Sequence, residues 1–131
     1  MKVKAQAKWV RIGARKARRV INLVRGKQAV AAISELRFMP HKGARVIEKV
    51  LKSAMANATN NFKLEEGALY ISEAYVDEAT PFRRFKAAAR GRAAPRKRPQ
   101  SHVTVFVSAV EKEKKEKKKR AKKTASEGKG K

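Results

Sequence analysis

Residues 80–101 read TPFRRFKAAARGRAAPRKRPQS, and the rest of the chain is organised around them. This stretch carries eight basic residues between Arg83 and Arg98, and no acid occurs anywhere from Ala79 to Val110. It contains no apolar stripe that a folded chain could bury against a core. We therefore expect that a partner outside the chain neutralises this stretch.

The two flanks of this stretch have the periodicity of β-strands. The residues that indicate strands are Leu69, Ile71, Tyr75 and Val76 before it, and Val103, Val105 and Val107, which alternate with His102, Thr104, Phe106 and Ser108, after it. Two strands that meet at a tip containing Gly91, which can adopt a positive φ, predict a long β-hairpin. Because an isolated two-stranded ribbon is marginal in water, the arm should be ordered by a polyanion.

A basic helix is the alternative for the same stretch, since Ala, Arg and Lys are good helix formers. Gly91 in the middle and the prolines Pro81, Pro95 and Pro99 disfavour it. The hairpin is therefore our prediction for residues 80–101.

Charge and composition narrow the possible partners. The chain has 131 residues with 35 Lys and Arg against 11 Asp and Glu, which gives a net charge of +24. Such a charge predicts a polyanionic partner. Nucleic acid is favoured over an anionic membrane, because the most basic stretches lack the bulky apolar face of a membrane-binding helix.

The compartment is also indicated by composition. Cysteine is absent, so a disulfide framework and a thiolate metal site are excluded. No apolar run is long enough to span a bilayer, and the N-terminus MKVKAQAKW lacks the apolar core of a secretory signal. We expect a cytoplasmic protein.

The N-terminal half predicts one strand and three helices. In Lys2–Ile12 the side chains of Val3, Ala5, Ala7 and Trp9 share one side. We interpret Trp9 as a core residue, with stacking on a nucleobase as the alternative. Helical spacing then predicts three helices. The first, at residues 14–25, has Gly13 as N-cap, a basic outer face and the apolar positions Ala14, Ala17, Val20, Ile21 and Val24. The second, at 27–38, has Val30, Ile33 and either Leu36 or Arg37 as its turn positions. The third, at 44–58, is the main packing element, with the apolar stripe Ala44, Ile47, Val50, Leu51, Ala54, Met55 and Ala58.

These elements define the predicted architecture. The fold class is α+β: a small domain of three helices packed on a three-stranded antiparallel sheet, with one long protruding β-hairpin. The domain spans residues 1–110. Residues 111–131 contain eleven basic and four acidic residues and no apolar face, so we expect a disordered, lysine-rich tail.

No catalytic or metal site is apparent. The two histidines, His41 and His102, have no cysteines or clustered carboxylates near them in sequence, and no serine or glycine lies in a nucleophile or phosphate-loop motif. We expect no cofactor and no metal. The acids Glu73, Asp77 and Glu78 near the hairpin root are interpreted as ion-pair partners of Arg83, Arg84 or Arg98 rather than as acid-base catalysts.

Phe82 and Phe85 are the aromatic residues that interleave with cations. They could stack on unpaired bases, but packing of Phe82 against the domain is at least as good an interpretation.

Five segments of the chain resemble one known family. These are IGARKARRVINLVRGK, KVLKSAMANATNN, YVDEATPFRRF, AARGRA and SHVTVFVS, spread in order between Val3 and Ser108. Together they look like the bacterial large-subunit ribosomal protein L-twenty-two family, the universal uL-twenty-two family. The chain departs from the family pattern at Gly13-Ala14, where Ser-Pro is usual, and at Ala87-Ala88, where Pro-Arg is common.

The resemblance implies a structural constituent of the large ribosomal subunit that binds large-subunit ribosomal RNA and aids subunit assembly. It also implies that the basic hairpin lines the nascent-peptide exit tunnel, with macrolides bound near the tip. Neighbouring large-subunit proteins and the nascent polypeptide are the further partners, with no membrane and no small-molecule substrate.

Two sets of residues are the predicted sites. The tunnel-lining tip is Ala89, Arg90, Gly91, Arg92 and Ala93. The predicted ribosomal RNA contacts are Lys8, Arg11, Arg15, Lys16, Arg18, Arg19, Arg25, Lys27, Arg83, Arg84, Lys86, Arg96, Lys97, Arg98 and His102.

Two other functions are compatible with a basic arm on a small core. An architectural DNA-binding protein would use the ribbon to wrap a duplex, but it would need a bulky wedge near the tip, for which Pro95 is the one candidate. An RNA-modifying enzyme would need the cofactor loop or acid-base groups that the sequence lacks.

Overall fold

The computed structural model describes residues 1–109, and the predicted tail at 111–131 lies outside them. Three helices and three strands follow one another as β1 (Lys2–Val10), α1 (Ala14–Val24), α2 (Ala29–Phe38), α3 (Lys42–Phe62), β2 (Leu69–Ala87) and β3 (Ala93–Ala109). Short 3-10 turns lie at Glu66–Ala68 and Ala89–Gly91. The strands form one antiparallel sheet in the order β1-β3-β2. The predicted α+β architecture is confirmed.

Helices α1 and α3 bury the faces that their sequences predict. The buried residues of α1 are Ala14, Ala17, Val20, Ile21 and Val24. The buried residues of α3 are Gly43, Ala44, Ile47, Val50, Leu51, Ala54, Met55 and Ala58. The third helix is longer than the stripe predicted, because polar residues after Ala58 continue it until Lys63 adopts a left-handed C-cap.

Helix α2 buries only part of the face that its sequence predicts, because Leu36 is buried and Ile33 packs partly against the core but Val30 does not. It buries Ala29, Ala32 and Leu36, whereas Val30 is 44% exposed. The two alanines are small enough to let the helix approach its neighbours closely. Close packing, rather than the size of the side chains, therefore determines which face of α2 is buried.

Strand β3 is the centre of the sheet and of the core. Val103, Val105 and Val107 are buried against the helices. On the helix-free face Thr104 is fully buried as well, between its strand neighbours Gln6 on β1 and Tyr75 on β2.

A β-bulge near the end of β1 overturns the prediction that Trp9 is a core residue. Ala7 pairs with Val103 and Val10 pairs with Ser101, so β1 has one extra residue between these pairs. Trp9 has a φ of 57° and its side chain is 55% exposed. The bulge breaks the two-residue alternation, and the indole therefore points away from the side shared by Val3 and Ala5.

The outer edge of β2, on the side opposite β3, is covered by the segment that follows α1. Gly26 donates its N–H to Ile71 O at 3.0 Å, and Ile71 donates its N–H to Lys27 O at 2.9 Å. Further along, Arg25 binds Ala74 O through Nε and Nη2, and Arg18 Nε donates to Val76 O at 3.0 Å. These contacts protect an edge that would otherwise be open to strand addition.

The stretch at 80–101 is a hairpin arm, so the helical alternative is wrong. Pairing continues beyond the domain from Phe82↔Arg98 to Ala87↔Ala93, and residues 82–99 are exposed. Pro81 and Pro99 lie where the register shifts between Ala79 and Phe82, and bulges tolerate proline.

Pro95 is accommodated by the hydrogen-bond alternation of the arm. Ala88 donates its N–H to Arg92 O at 2.8 Å. Hydrogen-bonded and non-hydrogen-bonded pairs alternate along an antiparallel ribbon. The Phe85↔Pro95 pair is three positions from the hydrogen-bonded pair of Ala88 and Arg92, so it is a non-hydrogen-bonded pair. The missing N–H of Pro95 therefore costs the ladder no bond.

The arm ends in a turn whose two central residues have positive φ. These are Arg90 at 57° and Gly91 at 68°, and Arg92 donates its N–H to Ala89 O at 3.4 Å. Positive φ at both central positions is the signature of a type I′ turn, whose twist matches that of paired strands. The sequence predicted this conformation for Gly91 but not for Arg90.

Candidate nucleic-acid interface

A basic groove of about 740 Å³ lies where the hairpin arm meets the helical layer. It is bounded by the loop after β1, the starts of α1 and α3, and the root of the arm. Its charged lining contains six Lys or Arg residues and no acid: Arg11, Lys16, Arg19, Lys42, Arg84 and Arg98. We call this the basic groove. The remaining lining residues are Ile12, Gly13, Val20, His41, Gly43, Phe82, Pro99 and Gln100.

The secondary structure explains why these side chains converge. Lys16 and Arg19 are three residues apart on α1 and so project from one face of that helix. Alternation along the arm places Phe82 and Arg84 on the same side of the ribbon as Arg98, which pairs with Phe82. One helix face and one ribbon face therefore form the two walls of the basic groove.

Phe82 is held between cations at the root of the arm. The guanidinium carbon of Arg11 lies 5.5 Å from its ring centroid and that of Arg84 lies 5.1 Å away. Such distances are within the range of cation–π attraction. Phe82 therefore packs against the domain, as one of the two interpretations held, although 38% of it stays exposed. Phe85, further out, is 77% exposed.

Two helices begin at the basic groove without a side-chain cap. Gly13 is the N-cap of α1 and His41 that of α3, and neither cap residue makes a side-chain hydrogen bond to its helix. The N–H groups of Lys16 and Ala44 donate to the carbonyl oxygens of these cap residues, both at 3.0 Å. No cap side chain accepts from the first turn of either helix, and the helix N-termini add partial positive charge to the surrounding cations.

The arm carries cations that face one another. Arg83 is paired with Lys97 and Arg84 with Arg96 across the ribbon. Like charges directly opposite are destabilising in a sheet. None of the ion pairs within residues 1–109 involves an arm residue. Binding of an anion would relieve this repulsion.

Among the predicted RNA contacts, Arg18, Arg25 and Lys27 bind carbonyl or carboxylate oxygens of other elements of the protein. Arg18 and Arg25 bind the carbonyl groups of β2 described above, and Arg18 also lies 3.8 Å from Glu78. Lys27 donates to both carboxylate oxygens of Glu35, at 2.7 and 2.6 Å. These side chains have a structural role whether or not they also touch RNA.

The predicted ion pairs at the hairpin root form with other partners. Glu73 pairs with Lys2, which crosses from β1 to β2 over β3, and Glu78 pairs with Arg18. No ion pair of Asp77 is present among residues 1–109. The prediction of arm arginines as partners is wrong. Arg83 and Arg98 lie beyond the register shift that follows the Ala79↔Gln100 pair, and Arg84 and Arg98 line the basic groove instead of facing the acids.

The remaining predicted cations are exposed around the same region. Lys8, Arg11, Arg15, Lys16 and Arg19 lie at the end of β1 and on α1, and Lys86, Arg96 and Lys97 lie on the arm. The tip residues from Ala89 to Ala93 are all exposed. His102 is half-buried, and its Nδ1 accepts a hydrogen bond from the Trp9 N–H at 3.1 Å.

The sequence did not indicate His41 and Lys42 as part of the site. They precede the predicted helix at 44–58, but they form the N-cap and the first residue of α3 and line the basic groove. A basic dipeptide immediately before an amphipathic stripe was the signal that could have pointed to them.

A second cluster of charges lies away from the basic groove. Glu48 on α3 accepts a hydrogen bond from Lys52 at 2.6 Å and lies 3.5 Å from Arg37 on α2. The hydrogen bond from Lys52, with a smaller contribution from Arg37, lowers the pKa of Glu48 below its ordinary value. This cluster ties α2 to α3.

Two structural findings bear on other functions. No helix among residues 1–109 is long and apolar enough to cross a membrane. Within the same residues no group of three or more His, Cys, Asp or Glu side chains is placed to hold a metal ion.

Comparison with known proteins gives a consistent result. The family described as Ribosomal protein L22p/L17e matches residues 5–108. The chain is 55% identical over 105 residues to the large ribosomal subunit protein uL22 of Ligilactobacillus salivarius, covering 80% of this chain and 91% of that protein. It is 52% identical over 107 residues to the protein of the same name from Lacticaseibacillus casei, covering 82% and 92%.

Proposed function

The chain belongs to the L22p/L17e family of ribosomal proteins, and from that premise we propose that it binds large-subunit ribosomal RNA through the basic groove and the arm. It is a structural constituent of the large ribosomal subunit and not an enzyme. As a component of the ribosome it acts in the cytoplasm. What is proposed is how it binds and where the arm lies.

The observation that carries the proposal is the lining of the basic groove. Its six Lys and Arg side chains come from the loop after β1, from α1, from α3 and from both strands of the arm, and no acid accompanies them. Phosphate contacts of this kind fix the register and orientation of a protein on RNA without reading its sequence. A groove at the joint therefore sets the angle at which the arm enters the RNA.

The arm suits a narrow passage lined by RNA. Around the tip the side chains are alanines, and Arg90 and Arg92 are the long ones. From Ala79 to Ala89 a strand rise of about 3.3 Å per residue gives a reach of roughly 30 Å. A thin, cationic ribbon of this length fits the proposed role in lining the nascent-peptide exit tunnel, with the tip near the nascent chain and near bound macrolides.

Assembly follows from the same geometry. The facing cations of the arm repel one another until phosphates surround them, so ordering of the arm and folding of the RNA around it stabilise each other. The protein should therefore join the particle while the RNA is still folding. Neighbouring large-subunit proteins would contact the parts of the domain that the RNA leaves free.

The test compares two variants with the same change in charge. Lys16→Gln with Arg19→Gln removes two cations from the basic groove. The control, Lys4→Gln with Lys63→Gln, removes two cations that are also exposed but lie elsewhere. Lys4 is on the helix-free face of the sheet. Lys63 is the C-cap of α3, and a rise of about 1.5 Å per residue places it roughly 30 Å from the start of that helix, which lines the basic groove.

Binding to a large-subunit RNA fragment is measured over a range of salt concentrations, with a random RNA of equal length for comparison. The logarithm of the affinity falls with the logarithm of salt by about 0.7 to 0.9 for each phosphate contact. The groove variant should reduce this slope by about 1.5, whereas the control variant should leave it unchanged. Equal changes in both variants would show that only the overall charge matters, and the basic groove would not be the binding site.

A further inference from the structure

Trp9 occupies a backbone conformation that a bulky residue rarely adopts. Its φ is 57°, within the left-handed region that favours glycine. Residues held in such conformations persist where the surroundings enforce them, and they cluster at binding and catalytic sites. A tryptophan in this state therefore calls for an explanation.

Three successive residues of β3 hold the bulge in place. Trp9 donates its N–H to His102 Nδ1 at 3.1 Å, and Gln100 Nε2 donates to Trp9 O at 3.4 Å. Ser101 Oγ donates to Ile12 O at 2.9 Å just beyond the bulge. Both backbone groups of Trp9 are thus satisfied by side chains, so the exposed position is a built feature of the sheet.

The indole is presented to solvent rather than packed. Trp9 is 55% exposed, and its ring meets that of His102 nearly at right angles, with an interplanar angle of 82° and a centroid distance of 4.8 Å. This edge contact orients the indole but leaves more than half of the residue accessible. Burial in the core does not explain a residue with this much exposed surface.

The neighbours of Trp9 link it to the basic groove. Lys8 precedes it, and Arg11, two residues later, lines the groove. Gln100, which donates to Trp9, also lines the groove. An aromatic surface beside phosphate-binding cations is the arrangement with which proteins bind unpaired nucleotides.

We propose that Trp9 is a stacking surface for one unpaired nucleobase of the RNA, with Lys8 and Arg11 at the adjoining phosphates. This inference rests on the proposed RNA-binding function. The partner is single-stranded because the base faces in a helix are already stacked on one another. His102 is a positioning residue, since it holds the Trp9 backbone and orients the ring.

The test uses the fact that Trp9 is the single tryptophan of the chain. Its fluorescence in the full-length protein is followed while a single-stranded fragment of large-subunit RNA is added, and separately while inorganic polyphosphate, which has no bases, is added. Stacking predicts quenching and protection from acrylamide with RNA only. If RNA binds and the indole stays open to acrylamide, the stacking proposal is wrong while RNA binding stands.

Two substitutions distinguish the contribution of the Trp9 ring to RNA binding from that of the bulge. Trp9→Phe keeps an aromatic face, whereas Trp9→Asn removes the ring with a residue that tolerates positive φ, so the bulge is retained. Trp9→Asn should weaken RNA binding roughly tenfold with an unchanged salt slope, because stacking carries no charge. Trp9→Phe should recover most of the affinity.

The other outcomes have distinct meanings. Wild-type affinity in Trp9→Asn would overturn the stacking proposal. Absence of specific RNA binding by the wild-type chain would instead overturn the proposed function. If the indole stays open to acrylamide on an RNA fragment that the chain binds specifically and becomes protected only in assembled subunits, another component of the particle covers Trp9, and stacking on the bound RNA is wrong.

Discussion

The hydroxyl of Thr104 is expected to destabilise the free protein. Thr104 is fully buried at the centre of β3, and its Oγ1 has no hydrogen-bond partner among the described residues. Leaving a buried polar group unpaired costs about 1 to 3 kcal/mol. Valine has nearly the same shape and replaces the hydroxyl with a methyl group, so Thr104→Val should stabilise the fold.

The gain can be bounded from the structure. Thr104 pairs with Gln6 on β1 and with Tyr75 on β2. The substitution changes only the side chain, so it leaves this backbone pairing unaffected. We expect an increase of about 1 kcal/mol, at the low end of the cost of an unpaired group because the sheet can relax. For a domain of this size that is roughly 4 °C in Tm.

Urea unfolding of the full chain, followed by circular dichroism, measures the change at constant salt. Thr59→Val is the matched control, since the Thr59 hydroxyl donates to the Met55 and Ala56 carbonyl oxygens, both at 3.2 Å. The control should be neutral or destabilising. A Thr104→Val variant that is less stable than wild type, with an unchanged m-value, would mean that the hydroxyl is bonded, and the reasoning would fail.

Three further predictions address the core, the tip and the Glu48 cluster. Val105→Asp should prevent folding, because Val105 is 1% exposed and an unpaired carboxylate there costs several kcal/mol against a total stability of about 5 to 15 kcal/mol; native circular dichroism of the variant would contradict this. Replacing residues 87–93 with a three-residue loop that ends in glycine keeps the Lys86↔Ala94 pair and should leave the Tm of the domain unchanged. In large subunits purified from cells whose only copy of the protein has the shortened tip, we expect normal occupancy of the subunit by the protein and altered macrolide inhibition of translation or altered stalling of the nascent chain. An unchanged drug response together with unchanged stalling would argue against the tunnel-lining role. The lowered pKa of Glu48 implies stability that is present above the ordinary value of 4.5 and lost as pH falls through the lower folded value. The stability difference between wild type and Glu48→Gln should therefore shrink below pH 4.5, and a difference that is constant with pH would refute the assignment.

The buried faces of helices and strands could be predicted from the sequence where those faces follow from the hydrophobic periodicity of the element itself. The buried face of α1 matched the predicted positions residue by residue, and α3 differed by the additional buried residue Gly43 and by its bounds, which are Lys42–Phe62 instead of 44–58. The same holds for the alternating valines of β3. In α2 the pattern was ambiguous, because alanines such as Ala29 and Ala32 have little hydrophobic signal and were buried only through the close approach of other elements.

The candidate site was predicted in part. A basic arm between two strands was apparent from composition, and so was the basic face of α1. Its assembly into the basic groove was not, because Arg11, Lys42 and Arg98 are separated by tens of residues and meet only in three dimensions. The partners of Glu73 and Glu78 were wrong for the same reason.

Local sequence predicted the three helices, the hairpin and a polyanionic partner, because amphipathic period, turn residues and unpaired charge are local properties of the chain. Tertiary structure alone decided the position of Trp9, whose bulge is held by Gln100 and His102 about ninety residues later. It also decided which cations are free to bind, since Arg18 and Arg25 bind the edge of β2 whereas Lys16 and Arg19 do not. A charge is available to a partner only when no neighbour in the folded chain already uses it, and no local pattern encodes that neighbour.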